Sequence, residues 1–147
     1  MAGKTIVITG VTGDDDTFTG ECGGKFPTYN VSKAKRDCEA GKHGKPFLFD
    51  VAPCYQANRN VEVDPDKVER FMNMPEVLVT PVIMVIENNR AWLIDGHHRL
   101  RAMFRLGASE ILGYAIEERY RKDYLVLFNG REETPGAAKF LPQGGAS

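Results

Sequence analysis

Five consecutive residues, Asp95-Gly96-His97-His98-Arg99, bring together an acid, an unhindered backbone position, two imidazoles and a guanidinium. Each type suits the handling of a phosphate. Gly96 would let the backbone approach a ligand closely. His97, His98 and Arg99 supply donors, and the Arg99 fork can clamp a phosphate or carboxylate through two parallel hydrogen bonds. Asp95 could hold Mg²⁺ between itself and ligand phosphates. His97 is a candidate general base. Arg101 and Arg105 lie on one helical face, and with Arg99 they would make a local basic ridge. A plainer alternative is open at each position. Asp95 would then be a helix N-cap, the imidazoles surface groups, and the arginines the solvated side of an amphipathic helix.

The surrounding pattern says what must position these groups. An apolar run, Val79 to Ile86, reads as a strand. Glu87-Asn88-Asn89-Arg90 reads as a tight turn, because asparagine tolerates positive φ. Ala91 to Ile94 is a second short strand, and at Asp95-Gly96 the period changes. Leu100, Met103, Phe104 and Leu106 then follow helical spacing, with Gly107 as a C-terminal stop. The five residues therefore sit at a strand-to-helix corner, where a helix N-terminus offers free N–H groups and partial positive charge. Ile83, Val85, Leu93, Leu100, Phe104, Ile111 and Phe49 are expected to join in one main core.

From about Phe47 to Ile116 the chain resembles the ParB/sulfiredoxin superfamily. The residues that carry the likeness are Leu48-Phe49-Asp50-Val51-Ala52-Pro53, Val63-Asp64-Pro65-Asp66-Lys67-Val68-Glu69-Arg70-Phe71, Thr80-Pro81-Val82-Ile83-Met84-Val85, Leu93 through Arg99, and Leu106-Gly107. The resemblance implies an α+β fold, a small mixed sheet flanked by helices, whose strand-turn-helix corner binds nucleotide phosphates. Sulfiredoxins carry a catalytic cysteine in this corner. His97 stands there instead, which argues against sulfinic acid reduction. Chromosome-partitioning ParB proteins carry Glu-Arg-Arg after the glycine and bind CTP. Here the residues are His97-His98-Arg99, and no helix-turn-helix domain follows. The Asp-Gly-His-His-Arg form is more similar to ParB-related free serine kinases and to ParB-like nucleases of plasmids and phages. The kinases take a glutamate from the region before a helix as base, and Glu62 is the nearest match. An isolated surface role for Glu62 stays open. The implied cofactor is ATP or CTP with Mg²⁺.

The rest of the chain sets bounds. At 147 residues, with 42% hydrophobic and 27% charged residues, it is long enough for a real core and ordinary for a soluble globular protein. A net charge of −1 supplies no global field for nucleic acid, so any DNA contact would need a local patch. No apolar run reaches the roughly 18 residues of a membrane span, and the N-terminus lacks a secretory pattern, so a cytoplasmic location is expected. Lys4 to Thr9 reads as a strand, followed by Gly10-Val11-Thr12-Gly13. Gly20-Glu21-Cys22-Gly23-Gly24-Lys25-Phe26 has the wrong spacing for a phosphate loop, and Asp14-Asp15-Asp16 reads as a solvated turn.

Val31 to Ala40 is a candidate helix opened by Asn30 or Ser32. Lys33, Lys35, Arg36, Lys42 and Lys45 would form a solvated face, with an anionic ligand path as the alternative. Cys22, Cys38, Cys54 and His43 match a zinc set by type but not by spacing. The three cysteines are expected to remain free thiols. Phe47 begins a strand that should end near Pro53, and Tyr55 to Asn60 reads as irregular. Asp64, Pro65 and Asp66 form a strong helix start, with Val68, Phe71 and Met72 as its apolar face. Glu110 to Glu117 reads as a strand and Tyr124 to Phe128 as a strand or helix. The expected organisation is an extension over 1–45, a ParB/sulfiredoxin-like domain over 46–128 and a loose tail over 129–147.

Three function classes follow. The leading one is a nucleotide- or phosphate-binding protein acting in phosphotransfer or nucleotide hydrolysis. The second is a nuclease or DNA-associated protein, with the paired histidines and Asp95 around a metal. The third is a non-catalytic module that binds a ligand or a partner.

Overall fold

The computed structural model describes residues 7–134. It is an α+β protein with two four-stranded sheets. In chain order the elements are β1 (Ile8–Thr9), β2 (Thr17–Thr19), β3 (Thr28–Asn30), α1 (Val31–Glu39), β4 (Phe47–Asp50), α2 (Val51–Asn58), α3 (Pro65–Met72) and α4 (Pro75–Leu78). There follow β5 (Val82–Glu87), β6 (Arg90–Asp95), α5 (His97–Arg105), β7 (Glu110–Ile116), a 3-10 segment (Glu118–Tyr124) and β8 (Leu125–Phe128). Among the described residues no helix is long and apolar enough to cross a membrane.

The central sheet has the order β4-β7-β5-β6. It is mixed, with β5 parallel to β7 and the other pairs antiparallel. Its middle strand β5 explains the apolar run in the sequence. Val82 and Met84 face one way, into a cluster with Leu93, Leu100, Ile111, Val51 and Cys54. Ile83 and Val85 face the other way, against Tyr29, Ala34, Ile94, Ile116 and Tyr124. A strand buried on both faces has no polar side to alternate with. The single core expected from the sequence is therefore two cores, one on each face of the sheet. Phe49 packs at the edge of the α5 side. Phe104 does not join either core: it is 40% exposed, and its ring stacks on Tyr55 of α2 with centroids 3.7 Å apart.

The second sheet, β1-β8-β3-β2, covers the far face. Its strands come from both ends of the described chain, with β8 lying antiparallel between β1 and β3. The segment before residue 46 is thus more than an appendage, since Tyr29, Ala34 and Cys38 are core residues. Within the tail expected from 129 onward, the described residues up to Thr134 are tied to the second sheet. Thr134 N–H donates to the Phe26 carbonyl at 3.1 Å, and Glu133 bridges to Pro27. Residues 135–147, and the Lys4 to Ile6 half of the Lys4 to Thr9 strand, lie outside the described residues.

Local chemistry accounts for the elements. Asn30 caps α1 by accepting from Lys33 N–H, and Asp64 caps α3 by accepting from Asp66 N–H, with Pro65 in the first turn. Asn88 and Asn89 both take positive φ in the β5–β6 turn. Asp15 accepts from Thr12 and Asn30, which organises the acidic turn and holds its carboxyl below the usual range. Arg36 pairs with Asp15, and Lys42 with Asp37 and Asp123, so two of the five basic residues of this stretch form local ion pairs. Cys22, Cys38 and Cys54 are buried free thiols.

Two element boundaries differ from the sequence reading. The first strand of the central sheet ends at Asp50, not near Pro53. Tyr55 to Asn60 is not irregular: α2 runs through Asn58. Pro53 lies in the first helical turn, where a missing N–H removes no intrahelical bond. Val79 does not begin a strand. It closes the short helix α4 and is 67% exposed.

Candidate functional site

The corner is built by a backbone that only glycine suits. Gly96 takes φ 106° as it leaves β6 and enters α5. A Cβ placed there would come within 2.8 Å of Val82 Cβ, and closer still to Val82 Cγ1. So the absent side chain faces the sheet's own packing rather than solvent. Just before the corner the pairing skips one residue of β6, because Ile83 pairs with Asp95 and Met84 with Leu93, while Leu93 and Ile94 enter opposite cores as successive strand residues do.

Because the N-cap is glycine, α5 has no side-chain cap. Its first intrahelical bond is Leu100 N–H to Gly96 O at 2.8 Å. The N–H groups of His97, His98 and Arg99 find no protein acceptor among the described residues. Uncapped first-turn donors on a nine-residue helix make a partial positive charge that suits an anion. Asp95 is not the N-cap considered above. Its Oδ2 accepts from Arg99 Nη2 at 2.8 Å, with side chains only 24% and 12% exposed respectively.

The two histidines point to different tasks. His97 Nε2 donates to the Leu93 carbonyl at 2.9 Å, and its ring stacks on Phe18 of β2 with centroids 4.7 Å apart. Burial pushes its pKa down to about 4. An imidazole that holds protons so weakly is a poor general base near neutrality, and its two contacts tie the corner to the second sheet. His98 Nε2 accepts from Asp64 N–H at 3.1 Å, which leaves Nδ1 as the protonated nitrogen. Burial first, then nearby Lys67, keeps its pKa below the ordinary value. His98 thereby joins the first turn of α5 to the start of α3, and two helix N-termini meet with Lys67 and Arg101 close by.

Arg101 is committed elsewhere. Its Nη2 donates to the Arg59 carbonyl at 3.2 Å and the Val61 carbonyl at 3.1 Å, and its guanidinium lies over Tyr55. It closes the C-terminal end of α2 and the loop that follows. Arg105 is exposed. Glu62 is exposed on that same loop and has no hydrogen-bond or ion-pair partner among the described residues. It lines a cleft of about 700 Å³ together with Phe18, Glu21, Asn60, Val61 and Trp92.

Of the residues singled out from sequence, the structure thus brings Asp95, Gly96, His98 and Arg99 together at the start of α5. It turns His97 toward Phe18 and Arg101 toward the α2 loop, and it places Glu62 on the cleft. Phe18 and Asp64 are the partners that sequence reading missed as site residues. Both contacts are long-range, and nothing in the local spacing of either announces a histidine partner. Among the described residues no group of three or more His, Cys, Asp or Glu side chains could hold a metal ion by itself. No family model matches the chain, no curated protein matches it, and no solved structure matches its fold.

Proposed function

We propose that this chain is a ParB/sulfiredoxin-like protein of the cytoplasm that binds the phosphates of a nucleotide, ATP or CTP, at the Asp95–Arg99 corner, in the service of phosphotransfer or nucleotide hydrolysis. The observation that carries the reading is the uncapped first turn of α5, held against the start of α3 by His98. The His97, His98 and Arg99 N–H groups would cradle phosphate oxygens. His98 Nδ1–H adds a donor, and Arg99 retains guanidinium donors beyond the one given to Asp95. Gly96 contributes by allowing the turn.

Mg²⁺ fits the donor set only with the ligand's help. Asp95 is a single carboxylate, and Mg²⁺ bound through one carboxylate, phosphate oxygens and waters is the usual nucleotide arrangement. Asp95 would hold the ion after releasing Arg99 to the phosphates, and the ion would supply charge neutralisation there. For the base, Glu62 is the freer group, since His97 is hydrogen-bonded and hard to protonate. The nuclease reading loses its main support in this geometry, because the two imidazoles diverge toward Leu93 and Asp64 instead of converging with Asp95.

Calorimetry with ATP, CTP and GTP, with and without Mg²⁺, followed by product analysis, tests the reading. Saturable binding of at least one nucleotide is expected, with turnover marking an enzyme and binding alone a non-catalytic module. No binding at millimolar concentration by any of them would overturn it.

A further inference from the structure

The cleft beside the corner differs from it in charge. Its walls are partly apolar, built from Phe18, Val61 and the largely buried Trp92. Glu21 and Glu62 are among its lining residues, both exposed, and no Lys, Arg or His is. Glu21 Oε2 accepts from Gly24 N–H at 2.6 Å, which fixes the carboxylate while leaving its other oxygen open. Glu62 and Asn60 have no side-chain partner among the described residues. Asn58, by contrast, is spent: it donates to the Cys54 carbonyl and accepts from Leu93 N–H, which holds α2 to β6 and so fixes the cleft floor. The Cys22 thiol is no nucleophile here, because burial pushes its pKa up to about 12.

A volume of about 700 Å³ lies within the range of small-molecule sites. Two carboxylates and an apolar wall in one cleft, with no compensating cation in the lining, complement one kind of ligand. We infer that this cleft is a binding site for an organic cation, a primary amine or guanidinium carried on an apolar body. The cationic head sits between Glu21 and Glu62 with Asn60 as a further acceptor, and the body lies against Phe18, Val61 and Trp92. The wall residue Phe18 also stacks on His97, so the cleft and the corner share a side-chain contact. The inference stands on the cleft alone and does not depend on nucleotide binding.

Trp92 is the only tryptophan in the chain, so its fluorescence reports on the cleft directly. The test titrates the full chain with 2-phenylethylamine, with its neutral analogue 2-phenylethanol and with phenylacetate, following Trp92 emission and heat. The amine should bind at least tenfold more tightly than the alcohol, and the acid should not bind. Replacing both acids, Glu21→Gln with Glu62→Gln, should remove the preference for the amine while leaving the alcohol's affinity unchanged. Glu62→Asp in the native background should retain most of the preference. Thermal melting of each variant separates loss of the site from loss of the fold. Equal binding of amine and alcohol, no binding of the amine at millimolar concentration, or an amine preference that survives loss of both acids in a folded variant would each overturn the inference. Nucleotide binding in the absence of amine binding would leave the phosphate reading standing and this one refuted.

Discussion

Asp95 and Arg99 form the pair on which the chemistry of the corner turns, and their mutual hydrogen bond sets opposite expectations for the two residues. Arg99→Ala removes a guanidinium and leaves the Asp95 carboxylate unopposed where a phosphate should sit. Nucleotide affinity should fall by about 1.5–3 kcal/mol, the range for a hydrogen bond to a charged group. Asp95→Asn frees Arg99, so metal-free affinity should hold or rise while the Mg²⁺-dependent increment is lost. Calorimetry on both variants with and without Mg²⁺ decides this, and equal losses in the two variants would contradict it. Gly96 makes a separate prediction about stability. A side chain there meets both an unfavourable φ and the Val82 side chain. Gly96→Ala should therefore cost about 1–3 kcal/mol in urea denaturation. In the Val82→Ala background, which carries its own cavity cost, Gly96→Ala should be cheaper by only the part due to the clash. Equal stability of Val82→Ala and the double variant would show that the backbone conformation carries no cost.

At the scale of elements, His97 connects β6, α5 and β2, and its protonation should loosen that junction. Its pKa is about 4 in the folded chain against an ordinary value of 6.5. Between those values the unfolded chain binds a proton that the folded chain refuses, so stability falls as pH drops through this window and the loss is complete near the lower value. Above 6.5 the imidazole is neutral in both states and contributes no slope. His98 and His43 are shifted in the same direction, so the comparison must be between wild type and His97→Gln. Denaturant midpoints measured across the window should show a shallower decline in the variant, and parallel curves would refute the assignment. The elements around this junction were legible in the sequence wherever a local signal existed: the Asn88-Asn89 turn, the Asp64-Pro65 start of α3 and the Gly107 stop of α5. What was hidden depends on tertiary context. Pro53 looks like a breaker until the helix is seen to begin only at Val51. The choice of Phe18 as the partner of His97 is made by sheet packing, which no local pattern encodes. The purpose of Gly96 was only half legible: its turn could be read, but its contact with Val82 could not.

For the whole molecule the question is whether residues 46–128 can stand alone. The central sheet buries Ile83, Val85, Ile94 and Ile116 against Tyr29, Ala34 and Cys38, which come from the segment before residue 46. β8 lies between β3 and β1 and would lose both neighbours with that segment. Uncovering a large aliphatic side chain costs about 1.5–3 kcal/mol, so exposing several of them approaches the total stability of about 5–15 kcal/mol typical of a domain. A fragment spanning Pro46–Phe128 should therefore fail to fold cooperatively even though it holds the whole corner and all of the central sheet. Urea titration followed by circular dichroism should show a broad, weakly cooperative loss of signal for the fragment and one sharp transition for the full chain. Dye binding to exposed apolar surface should be strong in the fragment alone. A fragment that melts sharply, with little dye bound, would show that the α5-side core suffices and that the second sheet is an attachment. Failure of the fragment would instead mean that the corner is held in place from both faces of the sheet, with Phe18 behind His97 as the point where the second sheet reaches it.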